Sequence, residues 1–278
     1  MSTPLSMQEL QSVELNILKA IHAVCETHGL TYYLIAGSVL GAVRHQGFIP
    51  WDDDIDIVMP RDDYERFFAE AKDWLPDHLE ARNGEQDFSL AYRFGKVVNK
   101  NVDLQIHLAR PAYSRGKAFV DVFPLDACPD ETAALESLRK AHAFYSMIHN
   151  ASYTAPAAYH GPKRLAAHLI GALPLRKWAC RRLLRLHKDT AEGWPGSSLL
   201  CVGDYTWDEL WTIPANLLGK RKLVAFEDAQ FWAMEDTHTY LSMQYGDYMT
   251  PPPEDKREST HQITAYYAPG KDAFNVLD

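Results

Sequence analysis

Residues 35–60 read IAGSVLGAVRHQGFIPWDDDIDIVMP, and the fold is most legible there. The β-rich run TYYLIA (31–36) stops at Gly37-Ser38, and VLGAVRHQG continues with helix-like spacing to Gly47, so the segment predicts strand, tight turn, helix. DIDIVM (54–59) opens with polar and apolar residues in alternation, the mark of a strand with one wet face. On such a strand Asp54 and Asp56 emerge together, while Ile55 and Ile57 point into the core. Asp52 joins them if the strand begins early, and Asp53 points away as a structural residue. Side-by-side carboxylates repel unless a cation lies between them, and Mg²⁺ suits an all-oxygen set that it completes with water and phosphate oxygens. A solvated acidic turn is the plainer reading. A calcium loop of the EF-hand kind is excluded, because Ile57 and Asp63 stand where it needs Gly and Glu.

Working outward, residues 7–29 carry apolar side chains at helical spacing and end at Gly29. Arg61 to Trp74 resumes helical period, with Pro76 just beyond. Aromatic and β-branched residues predict strands at YRFGKVV (92–98) and AFVDVFPL (118–125). From 129 to 149 and from 163 to 188 the pattern is helical, with a loop between; 220–226 and 230–234 read as a hairpin, and 237–245 as a short helix closed by Gly246. The expected class is α/β in the α+β sense: a mixed-sheet core flanked by helices, a helical middle, and a C-terminal hairpin and helix. Residues 1–128 form the expected catalytic core and 129–278 an addition packed on it.

Composition narrows the partners. With 37 acidic against 28 basic residues, the net charge of −9 repels nucleic acid and anionic membranes unless cations are locally concentrated. Cys25, Cys128, Cys180 and Cys201 form no CxxC pair, so neither a zinc knuckle nor a redox motif is visible. The N-terminus lacks a basic and apolar leader, and no stretch reaches the ~20 apolar residues that span a bilayer. The expectation is a cytoplasmic protein without a transmembrane segment.

Asp121 lies within the apolar run FVDVFPLD (119–126), where a bare buried charge would be costly. It is the natural general base; Asp126 in the same run competes for the role, and a water-facing strand-edge position is the plainer alternative. Gly37 and Ser38, at the start of a helix, offer backbone N–H groups and a hydroxyl to a phosphate, or are an ordinary turn and cap. Lys96, with Arg257 and His261 four residues apart on one helical face, would help to neutralise a phosphorylated donor; solvated surface charge is the alternative. RKWACRRLLRLHK (176–188) reads as a buried helix with a salt-bridged outer face in preference to a membrane-touching one.

The run from Ile35 to Phe67, followed by FVDVFPLD and by YGDYMTPPPEDKREST (245–260) ahead of His261, resembles the LicD family, which includes bacterial phosphorylcholine transferases and is related to the fukutin proteins. The correspondence runs from about residue 20 to about residue 267. It implies a nucleotidyltransferase-like fold and transfer of a phospho-alcohol group from a CDP-activated donor, such as CDP-choline, to a hydroxyl of a glycan or glycolipid, with release of CMP. Carried over, Asp54, Asp56 and Asp121 become the ligands of Mg²⁺, or of Mn²⁺ in its place, and Gly37 and Ser38 the phosphate loop. A glycolipid acceptor would bring the protein to the inner face of the membrane as a peripheral visitor. Two alternatives remain: a nucleotidyltransferase that consumes an NTP and releases pyrophosphate, and a non-catalytic nucleotide-binding scaffold.

Overall fold

The computed structural model describes residues 3–87, 89–90, 92–158, 160–203, 210–259, 262–273 and 276. Helix α1 (Met7–His28) starts in a reciprocal capping box between Ser6 and Glu9 and ends at Gly29, whose left-handed backbone (φ 67°) suits glycine. It lays Ile17, Leu18 and Ile21 on the sheet with no exposure. Strand β1 (Tyr33–Leu34), helix α2 (Ala36–His45), strand β2 (Asp56–Pro60) and helix α3 (Arg61–Trp74) complete the segment that the opening stretch predicts.

The remaining strands are β3 (Leu79–Asn83), β4 (Gly95–Ile106), β5 (Arg115–Cys128), β6 (Leu199–Val202), β7 (Thr212–Pro214) and, after a separate hairpin, β10 (Ile263–Tyr267). They form one eight-stranded sheet with β1-β2-β5-β4-β10 as its main path; β3 also joins β4, and β6 joins β5 and then β7. Among the described residues only the β2–β5 pairing is parallel; the other pairs in the sheet are antiparallel. The architecture is α+β. The hairpin β8 (Lys222–Phe226) and β9 (Ala229–Ala233) stands apart, and α7 (Thr237–Tyr245) ends at Gly246 as its spacing predicts.

Between β5 and β6 lie three helices, α4 (Thr132–Tyr153), α5 (Pro162–Ala172) and α6 (Arg176–Gly193). The predicted single stretch 163–188 is thus two helices: Pro174 cannot continue α5 and forces the residue before it into extended backbone, as Leu173 shows at ψ 146°. The expected strand 92–98 begins instead at Gly95 and continues to Ile106. At Gly95 an added Cβ would stand 2.0 Å from the Phe68 ring, so glycine lets α3 press directly onto the strand.

Candidate active site

Strand register builds the site. In the parallel β2–β5 pair Asp56 stands opposite Asp121, and in the antiparallel β5–β4 pair Asp121 stands opposite Lys96. Residues paired across a ladder share a face, so Asp56, Asp121 and Lys96 form a row across three strands. Carboxylate oxygens of Asp54, Asp56 and Asp121 all lie within 4.8 Å of one another. Lys96 places its ammonium 2.5 Å from Asp121 Oδ1 and 3.3 Å from the centroid of the Phe119 ring. That cation–π contact holds the lysine on the same face as the carboxylates.

Strand β2 begins at Asp56, two residues later than the alternation of DIDIVM suggests, although the Asp121 N–H still reaches the Ile55 carbonyl at 2.8 Å. Asp54 still converges on Asp56 and Ile55 is still buried, as alternation predicts, but residues 52 and 53 lie outside the strand and need not follow its parity. Asp53, expected to point away, has a carboxylate oxygen within 4.8 Å of those of Asp52 and Asp54. It is buried and accepts a hydrogen bond from the Ser259 hydroxyl, which ties the C-terminal segment across the acidic run.

Gly37 and Ser38 lie inside the first turn of α2 rather than in a turn ahead of it, because the helix is entered at Ile35. Ala36 takes the left-handed conformation (φ 52°), and its N–H donates to the Tyr240 hydroxyl of α7 at 3.2 Å. Both candidate phosphate residues serve the aspartates here. A Cβ on Gly37 would stand 2.5 Å from Asp52 Oδ2, so glycine makes room for that carboxylate at a helix N-terminus, where negative charge is favoured. The Ser38 hydroxyl oxygen accepts the N–H of Asp56 at 2.7 Å and pins the start of β2.

Asp121 and Asp126 separate cleanly. Arg61 grips Asp126 with two hydrogen bonds of 2.7 and 2.6 Å and reaches Glu85 with two of 3.0 Å. Asp126 thus belongs to a buried ionic cluster on the other side of β5. Arg257 places its guanidinium over the Trp51 ring, 5.3 Å from the centroid, so it borders the acidic run. The helical turn at Glu254–Lys256 ends before it, however, so no continuous helix carries Arg257 toward position 261, and His261 lies outside the described residues.

Three side chains at the site escaped the sequence. Glu14 of α1 is fully buried, neither carboxylate oxygen is hydrogen-bonded among the described residues, and burial first, then Asp54, Asp53, Asp52 and Asp121, push its carboxyl well above the ordinary range. Tyr245 exposes 44% of its surface, yet its hydroxyl is raised, first by burial and then by Asp56, Asp52 and Asp54. Arg44, lowered by burial and by Arg257, reaches the Tyr248 carbonyl at 2.8 Å. Helical spacing conveys that Glu14 faces inward only when its neighbours Val13 and Ile17 are weighed against its charge. The other two depend on how α7 folds back.

Geometry of this kind defines a class: an α+β protein whose sheet presents a row of converging carboxylates beside cationic side chains, suited to holding a divalent ion against phosphate. The comparisons narrow the class. The sequence model of the LicD/FKTN/FKRP nucleotidyltransferase domain matches residues 29–159. The lipopolysaccharide cholinephosphotransferase LicD of Haemophilus influenzae is 29% identical over 269 residues, 94% of this chain and 98% of that protein. An uncharacterized protein of Rickettsia prowazekii is 43% identical over 47 residues, 17% of this chain and 18% of that one. Residues 29–159 thus match the LicD family's domain, and the chain is similar to that cholinephosphotransferase over nearly its whole length.

Proposed function

We propose that this chain is a LicD-family enzyme that transfers a phosphocholine-like group from a CDP-activated donor to a hydroxyl of a glycan or glycolipid and releases CMP. The observation that carries the reading is the row of Asp54, Asp56 and Asp121, with oxygens within 4.8 Å of one another, in a chain aligned over 94% of its length with a cholinephosphotransferase. The set fits Mg²⁺ or Mn²⁺ in its chemistry: all its donors are hard oxygens, and the Lys96 ammonium lies 2.5 Å from Asp121 beside them. Asp54, Asp56 and Asp121 would hold the ion, which when bound would neutralise the charge of the donor's diphosphate.

The chain's own groups supply the rest. The acceptor oxygen attacks the phosphorus that bears the alcohol, the bond from that phosphorus to the bridging oxygen breaks, and CMP leaves with the electron pair. Asp121 takes the proton of the acceptor hydroxyl. Lys96, Arg44 and Arg257 set positive charge around the diphosphate. Gly37 and Ser38 serve donor binding by fixing Asp52 and Asp56 in the first turn of α2. Trp51, beneath Arg257, offers an aromatic face to a quaternary ammonium.

The test is the product. Purified protein given CDP-choline, Mg²⁺ and a glycan acceptor should release CMP in step with modification of the acceptor. Pyrophosphate release from CTP, with no CMP from any CDP-alcohol, would overturn the reading. Thermal stabilisation by CDP-choline, CDP-ribitol and CDP-glycerol ranks the donors, since a ligand at 100 times its Kd adds about 2.7 kcal/mol to stability.

A further inference from the structure

Charge is unevenly spread along the chain. Residues 137–188 contain ten of the 28 Lys and Arg residues and none of the 37 Asp and Glu residues, so a protein of net charge −9 holds one strongly cationic block. That block comprises most of α4, all of α5 and most of α6.

Apolar exposure is concentrated in the same place. Leu165, Leu169 and Leu173 recur every four residues along α5 and its end, exposed by 64%, 58% and 53%, and Phe144, Met147 and Trp178 are exposed on α4 and α6. Of the eleven residues of α5 only Ala167 is buried. The helix is nevertheless firmly mounted. Gly171 meets α4 so closely that an added Cβ would stand 2.3 Å from the Ala151 carbonyl, and the Arg110 guanidinium bonds the Ala151 and Ala167 carbonyls at 2.8 and 3.1 Å. Small residues thus face the protein, and the leucines face outward. On α6, Ala179, Cys180, Leu183 and His187 are buried while Trp178, Arg182 and Arg185 lie on the opposite, exposed face.

We infer that α5 and the outer face of α6 dock on the surface of an anionic lipid bilayer, with Leu165, Leu169, Leu173 and Trp178 entering the headgroup boundary. Lys163, Arg164, Lys177, Arg182 and Arg185 flank those side chains. Leucines for the acyl boundary, a tryptophan for the interface and lysine and arginine for anionic headgroups are what an interfacial helix requires. The charge complementarity selects this occupant: a second copy of the chain would bring the same cations against themselves. Among the described residues no helix is long and apolar enough to cross a membrane, so the contact is peripheral.

The experiment is co-sedimentation of the full chain with vesicles of phosphatidylcholine alone and with vesicles rich in phosphatidylglycerol, in the absence of any donor. Binding should appear on the anionic vesicles and fade as salt is raised. L165E/L169E and K163E/R164E should each weaken it by about tenfold or more, with thermal melting retained as the control for folding. Equal partition of wild type and both variants, or equal binding to neutral vesicles, would overturn the inference. Absence of vesicle binding would overturn it too, as would self-association that L165E/L169E abolishes without any vesicle binding, which would make the face a contact between copies of the chain.

Discussion

The sheet face around β2 and β5 and the helical block from α4 to α6 are opposites. The first brings Asp52, Asp53, Asp54, Asp56 and Asp121 together, with Lys96 paired to Asp121 and Glu14 buried behind them. The second has no acidic residue between positions 137 and 188 and turns its leucines outward. Both are out of balance when considered in isolation, one in negative charge and the other in positive charge and exposed apolar surface. Such imbalance is costly to maintain without a complementary partner. The proposed divalent ion and phosphorylated donor would answer the first, and the inferred anionic surface the second.

Removal of charge from the carboxylate row has the largest expected effect. Asp54→Asn and Asp56→Asn should each lower turnover at least about 10³-fold, the upper end of what one preorganised electrostatic group contributes, while the protein stays folded. Retained turnover in both would show that the acidic face is merely a solvated turn. Asp121→Asn should cut the chemical step by about 10² to 10⁴ if its chief task is the proton, with donor and ion affinity within a few-fold of wild type. If ion affinity falls in parallel with rate, Asp121 acts mainly as a ligand.

Asp126→Asn sharpens the contrast within one strand. It removes one of the two carboxylates that Arg61 holds in a buried cluster while Arg61 keeps Glu85, so its cost should appear in stability, about 1.5–3 kcal/mol in denaturant unfolding, rather than in the transfer step. An Asp126 variant as stable as wild type but inactive would move the catalytic face to that side of β5.

Glu14→Gln gives a smaller effect with a diagnostic pH dependence. Because the folded-state carboxyl is raised, between the ordinary value near 4.3 and its own higher value the folded state binds more protons than the unfolded one, and stability falls as pH rises. Glutamine removes that loss. In the presence of a chelator the variant should melt above wild type, and the gap should widen from pH 5 to pH 8 and shrink toward pH 4. A gap independent of pH would mean that Glu14 is charged in the folded protein. Smallest of all, Ser38→Ala removes one neutral hydrogen bond to the Asp56 N–H, worth about 0.5–1.5 kcal/mol, and should weaken donor binding modestly.

Legibility in the sequence followed the range of the interactions. Helices α1, α3 and α7 are spelled by caps, periodicity and terminal glycines, all local signals, and the structure has them where those signals lie. The convergence of Asp121 on Asp54 and Asp56 is a matter of strand pairing over 65 residues, which alternation alone cannot convey; the apolar run around Asp121 only shows that its charge needs a partner. The short strands β6, β7 and β10 carry little pattern of their own and exist because the sheet edge offers them hydrogen bonds. Strand parity misplaces Asp53 because the stretch that carries it is not strand, and alternation does not separate Asp126 from Asp121 because Arg61, the partner of Asp126, lies 65 positions away.

The central claim is that Asp54, Asp56 and Asp121 hold a divalent cation. Calorimetric titration of Mn²⁺ into wild type, Asp56→Asn and Asp126→Asn tests it most directly. Wild type and folded Asp126→Asn should bind and Asp56→Asn should not; equal binding by wild type and Asp56→Asn, or no binding by wild type with donor present, would contradict a cation held by the row.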